Sequence, residues 1–196
     1  MLAILIIFSY LVGSIPSGYI LVKKVLNEDI RNHGSGNIGA TNVKRVAGKK
    51  LSNIVLLCDM LKAIIPVLLT KLLIANNLVN SNKSLALASV AIAAILGHNY
   101  TIFLKFKGGK GVATSAAAFI FIAPKAFIIT AIVFFSLKLL TKIVSIRSLI
   151  SALVLFITTW LFNYDVYIVS AAFITCILCF WRHRSNIVRL VNGVES

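Results

Sequence analysis

The chain has 196 residues, 59% of them apolar and 13% charged, with a formal net charge of +15. A soluble domain is roughly 45–50% apolar even with glycine counted, and this chain exceeds that without it, which excludes a wet-surfaced soluble enzyme and a disordered basic tail. A soluble nucleic-acid binder needs a more heavily charged surface, so the basic excess points to lipid headgroups and phosphorylated small molecules instead.

Taken in chain order, the apolar runs predict an all-α membrane protein with seven transmembrane helices in one domain, residues 1–196. A bilayer core needs about 20 mostly apolar residues per helix, and fewer where spans are kinked or paired. Residues 2–22 form a charge-free run, 51–70 carry only Asp59 and Lys62, and 84–104 form the third span. Residues 111–124 and 126–140 are shorter and flank Pro124-Lys125, which predicts a tight helical hairpin. Residues 148–164 and 166–181 follow, divided by Asn163-Tyr164-Asp165. Reading the hairpin as one long helix gives six spans instead.

The basic residues separate these two topologies. Seven spans put 16 Lys and Arg on one face: those of 23–50, Lys105, Lys107 and Lys110, Lys138, Lys142 and Arg147, and Arg182, Arg184 and Arg189. Only Lys71, Lys83 and Lys125 fall on the other face, and Lys62 lies within a span. Cytoplasmic loops carry the Lys/Arg excess, so the N-terminus is predicted outside and the C-terminus in the cytoplasm. Six spans would scatter the charge. Met1 leads directly into apolar sequence with no basic n-region, so the first span is expected to stay. Cys58, Cys176 and Cys179 lie in apolar segments. Cys176-x-x-Cys179 reads as helix packing, because no His or carboxylate stands near to complete a metal site.

Polar chemistry gathers in a few places. Residues 29–50 are as long as a span but polar. Gly34, Gly36 and Gly39 allow close backbone approach, and Ser35, Asn37, Thr41 and Asn42 supply hydroxyls and amides. Residues 38–47 predict a short helix stopped by Gly48, with Lys44 and Arg45 near an anion at its start. Phe106-Lys107-Gly108-Gly109-Lys110-Gly111 precedes a helix and reads as a phosphate cradle, although Leu104 stands where a Walker A loop needs glycine. His98 lies ~9 Å below the face. Asp59 lies ~12 Å in and, spaced i,i+3 from Lys62, reads as half of a structural ion pair. In the tail, Ser185 is a candidate cap for a short helix on which Asn186 and Arg189 share a face, and Glu195 is the single acid. An interfacial anchor holding lipid phosphates is the alternative for this tail.

On these residues the chain resembles the bacterial integral-membrane acyl-phosphate:glycerol-3-phosphate acyltransferases. The likeness is carried by Gly34-Ser-Gly-Asn-Ile-Gly-Ala-Thr-Asn-Val-Lys-Arg45, by Gly97-His98 with Phe106 to Thr114, by Arg182-His-Arg-Ser-Asn-Ile-Val-Arg-Leu190 with Gly193-x-Glu195, and by Gly13 to Tyr19. Ala63 departs where glycine is usual, and Thr101 where proline is common. The resemblance implies acyl transfer from acyl phosphate to the first hydroxyl of sn-glycerol 3-phosphate, with no metal or organic cofactor, no nucleic-acid partner and a monomer among membrane lipids. It also implies a bacterial plasma membrane, with the active site on the cytoplasmic face. His98, Lys110, Arg45 and Ser35 are then the candidate catalytic residues. Gly36, Asn37, Thr41, Asn42, Lys107, Gly108, Gly109, Gly111, Asn186 and Glu195 are candidates for substrate binding. His98 is the default base, but Phe103 stands where a His-x-x-x-x-Asp motif needs its carboxylate, which favours a substrate phosphate as proton acceptor. A transporter of organic phosphates with Asp59 and Lys62 in its path is the rival reading; a scaffold for soluble lipid enzymes is a weaker one.

Overall fold

The computed structural model describes residues 1–195, and helices are the regular elements among them. The first apolar run is two helices, α1 (Leu2–Ser14) and α2 (Ser17–Leu26), because Pro16 disfavours helical geometry at Ile15, which sits at ψ 115°. α3 spans Ala40–Ala75 but is broken at Gly48, whose φ of 82° is a left-handed angle that a β-carbon resists. The predicted short helix therefore exists as residues 40–47, with the apolar run beyond the break. α4 is Lys83–Asn99, followed by a 3-10 turn at Ile102–Leu104. α5 (Val112–Ile122) and α6 (Pro124–Leu140) meet at Ala123, where Pro124 occupies the first helical position that suits it. α7 (Val144–Leu161), α8 (Val166–Arg182) and α9 (Arg184–Val191) complete the order.

Among the described residues, four helical stretches are long and apolar enough to cross a membrane: Leu2–Leu26, Ala40–Ala75, Lys83–Leu104 and Val144–Leu161. A fifth is added if α8 and α9, bent by 57° at His183, are one span. α5, with 11 residues, is only ~16 Å long.

α4 is at the centre, and small residues let its neighbours approach. A β-carbon on Gly13 of α1 would lie 2.3 Å from the Ala94 carbonyl oxygen, and one on Gly97 would lie 2.2 Å from that of Tyr10. The helices touch backbone to backbone there, as small residues permit within bilayers. Ser9 Oγ donates to the Val90 carbonyl at 2.7 Å across the same seam. Ala91, Ala94, Ala117, Ala118, Phe119 and Ala172 close the core. Outside it, Ile4, Leu57, Phe135, Leu139 and Ile177 are exposed, an apolar surface suited to lipid. Both departures from the family pattern sit comfortably: Ala63 is fully buried, and Thr101 Oγ1 donates to the Ser14 carbonyl where proline could not.

The connections fall at two ends. At one, residues 1–3 meet 78–81, Lys71 Nζ donates to the Phe121 carbonyl, and the Lys125 amide donates to Tyr164 Oη. At the other, residues 31–38, 106–110 and 182–189 surround a cavity, and Ser145 Oγ donates to Glu195. The helix begun in the tail starts at Arg184 with His183 at its cap position and no side-chain cap bond, so Ser185 does not serve as the cap. The start is set instead by the bend, at which His183 is buried with Nδ1 2.8 Å from the Cys179 carbonyl oxygen.

Candidate active site

The first polar segment builds itself locally. Asp29 accepts the Arg31 amide and caps the turn Ile30–Asn32. Arg31 also forks onto both Asp29 oxygens, at 2.9 and 2.6 Å, and its guanidinium lies over the Tyr19 ring. The hydrogen bond from Arg31 holds the Asp29 carboxyl down at about 2. Beyond it, Gly34 and Gly36 take left-handed angles (φ 57° and 69°). The loop wraps around Asn42, which is 1% exposed. Asn42 Oδ1 accepts the Ser35 amide at 2.8 Å, and Nδ2 donates to the carbonyls of His33 and Asn37, both at 2.9 Å. Its amide is consumed in holding the loop, so Asn42, a candidate ligand from sequence, is a positioning residue.

The second segment lies flat on the end of α4. The amides of Gly108 and Gly109 donate to the carbonyls of Asn99 (3.2 Å) and His98 (2.9 Å). A β-carbon on Gly109 would stand 2.1 Å from His98 Nε2, and one on Gly108 would stand 2.1 Å from the His98 carbonyl oxygen. From above, Arg182 donates Nε to the Gly109 carbonyl at 2.9 Å and Nη2 to that of Gly108 at 2.6 Å, with its guanidinium over the Tyr100 ring. The glycines thus form a strap fastened on both sides. Their amides, predicted to cradle a phosphate, are already spent on the chain itself, and the Gly36 amide likewise donates to the His33 carbonyl at 3.0 Å. Gly111 (φ 78°) opens α5 against Asn99 Oδ1 and is not on the cavity wall.

Between these segments and the tail is a cavity of about 360 Å³. Ser35, Gly36 and Asn37 line one wall, Lys107, Gly108 and Lys110 a second, and Arg182, Asn186 and Arg189 a third. Arg31 and Arg184 also reach it, so among the described residues six cations and no carboxylate face the space. Lys110 Nζ donates to Asn186 Oδ1 at 2.5 Å, and Asn186 Nδ2 donates to Glu195 Oε1 at 2.5 Å. Arg189 Nε reaches Glu195 Oε2 at 2.6 Å. Burial pushes the Glu195 carboxyl up, but hydrogen bonds from Asn186, Arg189 and Ser145 outweigh it, leaving the group below its ordinary value. Burial brings the Lys110 ammonium down from 10.5 to about 8; Glu195 pulls it up, while the positive charges of Arg189 and Arg45 lower it further.

The candidates therefore separate. Ser35, Gly36, Asn37, Lys107, Gly108, Lys110 and Asn186 meet at the cavity. Arg45 is off its wall but close enough to act on the charge of Lys110. Thr41 is exposed and away from the wall, Glu195 stands behind Asn186, and Gly109 is part of the strap but not of the wall. His98 is buried under that strap, with Nδ1 3.7 Å from Asp59 Oδ1 and no hydrogen-bond partner among the described residues. Asp59 is held by Lys62 Nζ at 2.5 Å, the ion pair that the spacing predicted. Sequence reasoning missed Arg31, Arg182, Arg184 and Arg189 as wall residues. The signals that marked them were the place of Arg31 in the polar segment, the shared face of Arg189 and Asn186, and the Arg182 to Leu190 motif on which the resemblance partly rests. Among the described residues, no three His, Cys, Asp or Glu side chains come together to hold a metal.

An apolar helical bundle with a cation-walled cavity at one end defines the class: an integral-membrane protein whose site suits anionic ligands. Residues 3–193 match the profile of the family described as glycerol-3-phosphate acyltransferase. The glycerol-3-phosphate acyltransferase of Clostridium acetobutylicum is 47% identical over 193 residues, 98% of each chain. That of Bacillus subtilis is 42% identical over 195 residues, covering 100% of this chain and 96% of the relative. Among solved structures, the crystal structure of PlsY, an integral membrane glycerol 3-phosphate acyltransferase, in its glycerol 3-phosphate form superimposes with a TM-score of 0.89 at 36% identity, covering 100% of this chain and 94% of that one. Its lysophosphatidic acid form gives 0.86 at 35%, with the same coverage. The chain belongs to the glycerol-3-phosphate acyltransferase family.

Proposed function

We propose that this chain is an acyltransferase that moves a fatty acyl group from acyl phosphate to the sn-1 hydroxyl of sn-glycerol 3-phosphate, releasing lysophosphatidic acid and inorganic phosphate, the first acylation of phospholipid synthesis. The observation that carries the reading is the cavity wall, which among the described residues has six cations and no carboxylate. Two phosphorylated substrates repel each other, and a wall of this sign offsets that repulsion. It suits glycerol 3-phosphate and lysophosphatidic acid, the compounds in whose forms the solved relatives were crystallised.

In the reaction, the acceptor's hydroxyl oxygen bonds to the acyl carbon, and the bond from that carbon to the phosphate oxygen breaks. Lys110, Arg45 and Arg182 supply positive charge where the carbonyl oxygen and the leaving phosphate gain negative charge. Ser35 and Asn37 hold acceptor oxygens, and Asn186 holds Lys110 in place. The hydroxyl proton passes to a phosphate oxygen of the substrate. This fits the burial of His98 beneath Gly109, away from the wall. Phosphate is a good leaving group from a mixed anhydride, so no strong protein acid is required.

The chain works as a single domain, 1–196, a monomer without cofactor. It crosses a bacterial plasma membrane seven times, with its N-terminus outside and the site on the cytoplasmic face. The alternation of connections between two ends and the 16 basic residues on the cavity's side support this topology. Purified protein in detergent, given palmitoyl phosphate and glycerol 3-phosphate, is expected to release phosphate only when both are present. Solute uptake without turnover in reconstituted vesicles would discard the reading in favour of a transporter.

A further inference from the structure

α8 carries an outward stripe at alternating spacings of four and three: Ser170, Ile174, Ile177 and Trp181, all exposed. The same rhythm continues through the 57° bend into α9 as Arg184, Val188 and Val191, again all exposed, with Val191 at 83%. Arg184 lies over the Trp181 ring and donates to its carbonyl. The opposite face of α9 carries Asn186, which is 5% exposed and holds Lys110. A helix packed on a water-facing surface would reverse this arrangement and show polar groups outward. The exposed face of α8 therefore runs on through the bend into that of α9. An arginine paired with a tryptophan marks the join, the combination that occupies the headgroup level of bilayers.

We propose that α9 is a membrane-docking helix: Val188 and Val191 enter the headgroup–acyl boundary of the cytoplasmic leaflet while Arg184 meets a lipid phosphate at the mouth of the cavity. The lipid surface then fixes the tilt of α9 and, through Asn186, the position of Lys110. The leaflet rests on the topology proposed above and the last step on the reaction; the docking of the face in lipid rests on neither.

The test replaces Trp160 and Trp181 by Phe and introduces Val191→Trp, in nanodiscs of phosphatidylcholine and phosphatidylglycerol with or without brominated acyl chains. Bromine is expected to quench the new tryptophan at least ~2-fold, as it should reach an apolar face held about 5–10 Å into the boundary, while aqueous acrylamide quenches it weakly. Strong acrylamide quenching without bromine quenching would place the face in water and overturn the proposal. Protection from both quenchers would show that protein, a second copy included, covers the face, and would overturn it equally. Val188→Trp gives the same reading if Val191→Trp fails to fold. For the coupling, Val188→Ser with Val191→Ser is expected to lower kcat in nanodiscs and to move the alkaline limb of kcat/KM upward as Lys110 loosens. Unchanged kcat and pH profile in that variant would reject the coupling while leaving the quenching result to stand alone.

Discussion

The two glycine-bearing segments at the cavity are held in opposite ways. The 31–39 loop is organised by one side chain ten residues or fewer away, since Asn42 satisfies Ser35, His33 and Asn37. The 106–111 strap depends on distant partners, the end of α4 beneath it and Arg182 of α8 above it. A locally built loop can form as soon as its own helix does, whereas the strap exists only once α4, α5 and α8 have packed. The first brings Ser35 and Asn37 to the cavity wall, and the second delivers a charge, Lys110, to a place set by tertiary structure.

The largest effect is expected at the charges that this arrangement delivers. Lys110→Ala or Arg45→Ala should cost ~100–1,000-fold in kcat/KM, the range for losing one group that stabilises developing charge, with little change in thermal unfolding. Near-normal turnover in both would break the scheme. Glycine substitutions sharpen the contrast between the segments. Gly109→Ala drives a β-carbon to 2.1 Å from His98 Nε2, whereas Gly36→Ala meets only the Arg31 carbonyl oxygen at 3.1 Å and must adopt a φ of 69°. Gly109→Ala should therefore lower activity by ~10-fold or more and Gly36→Ala by less, a steric cost exceeding a backbone cost of ~1 kcal/mol. Equal losses would mean that the strap is not fastened as described.

Arg182→Lys probes the fastening directly. Lysine keeps the charge but lacks the planar fork that reaches two carbonyls, so kcat should fall several-fold while the KM for glycerol 3-phosphate moves less. A change confined to KM would make Arg182 a substrate ligand instead. The pH profile is a further check. As pH rises through about 8, Lys110 loses its charge, and kcat/KM of the free enzyme should decline along that limb. Stability has the opposite sign. The folded pKa is below the free-lysine value, so between about 8 and 10.5 the unfolded chain binds more protons and this group's contribution to stability rises with pH. The smallest effect is expected at His98→Ala, a reduction of a few-fold from loosened strap packing; loss of all turnover would restore His98 as the base.

How much of this was legible in the sequence follows from the same contrast. The apolar spans, the break at Gly48 and the Asp59–Lys62 pair are short-range properties of spacing and side-chain type, and they could be predicted. Asn42 was recognised as polar and loop-adjacent, but its role needed the path of residues 33–37 around it. The direction of the Gly108 and Gly109 amides was misjudged because the carbonyls of His98 and Asn99, which consume them, are placed by how α4 ends. Arg182 looked like an ordinary basic flank of a span, since nothing in its own neighbourhood shows the two carbonyls that it grips. Seven apolar runs are read as spans from sequence; among the described residues four helical stretches, or five with the bent α8–α9 pair, are long and apolar enough to cross by length and composition, and α5, with 11 residues, is not among them.

The Asp59–Lys62 pair also bears on how the chain enters the bilayer. Both ions are on one turn of one helix, so they neutralise each other before any other segment arrives. The apolar run of α3, residues 51–70, carries no other charge and can leave the aqueous insertion channel electrically balanced, without waiting for a later helix to supply the counter-ion. Substituting either residue alone strands its partner and should show up first as poor insertion and low yield, ahead of any defect in turnover.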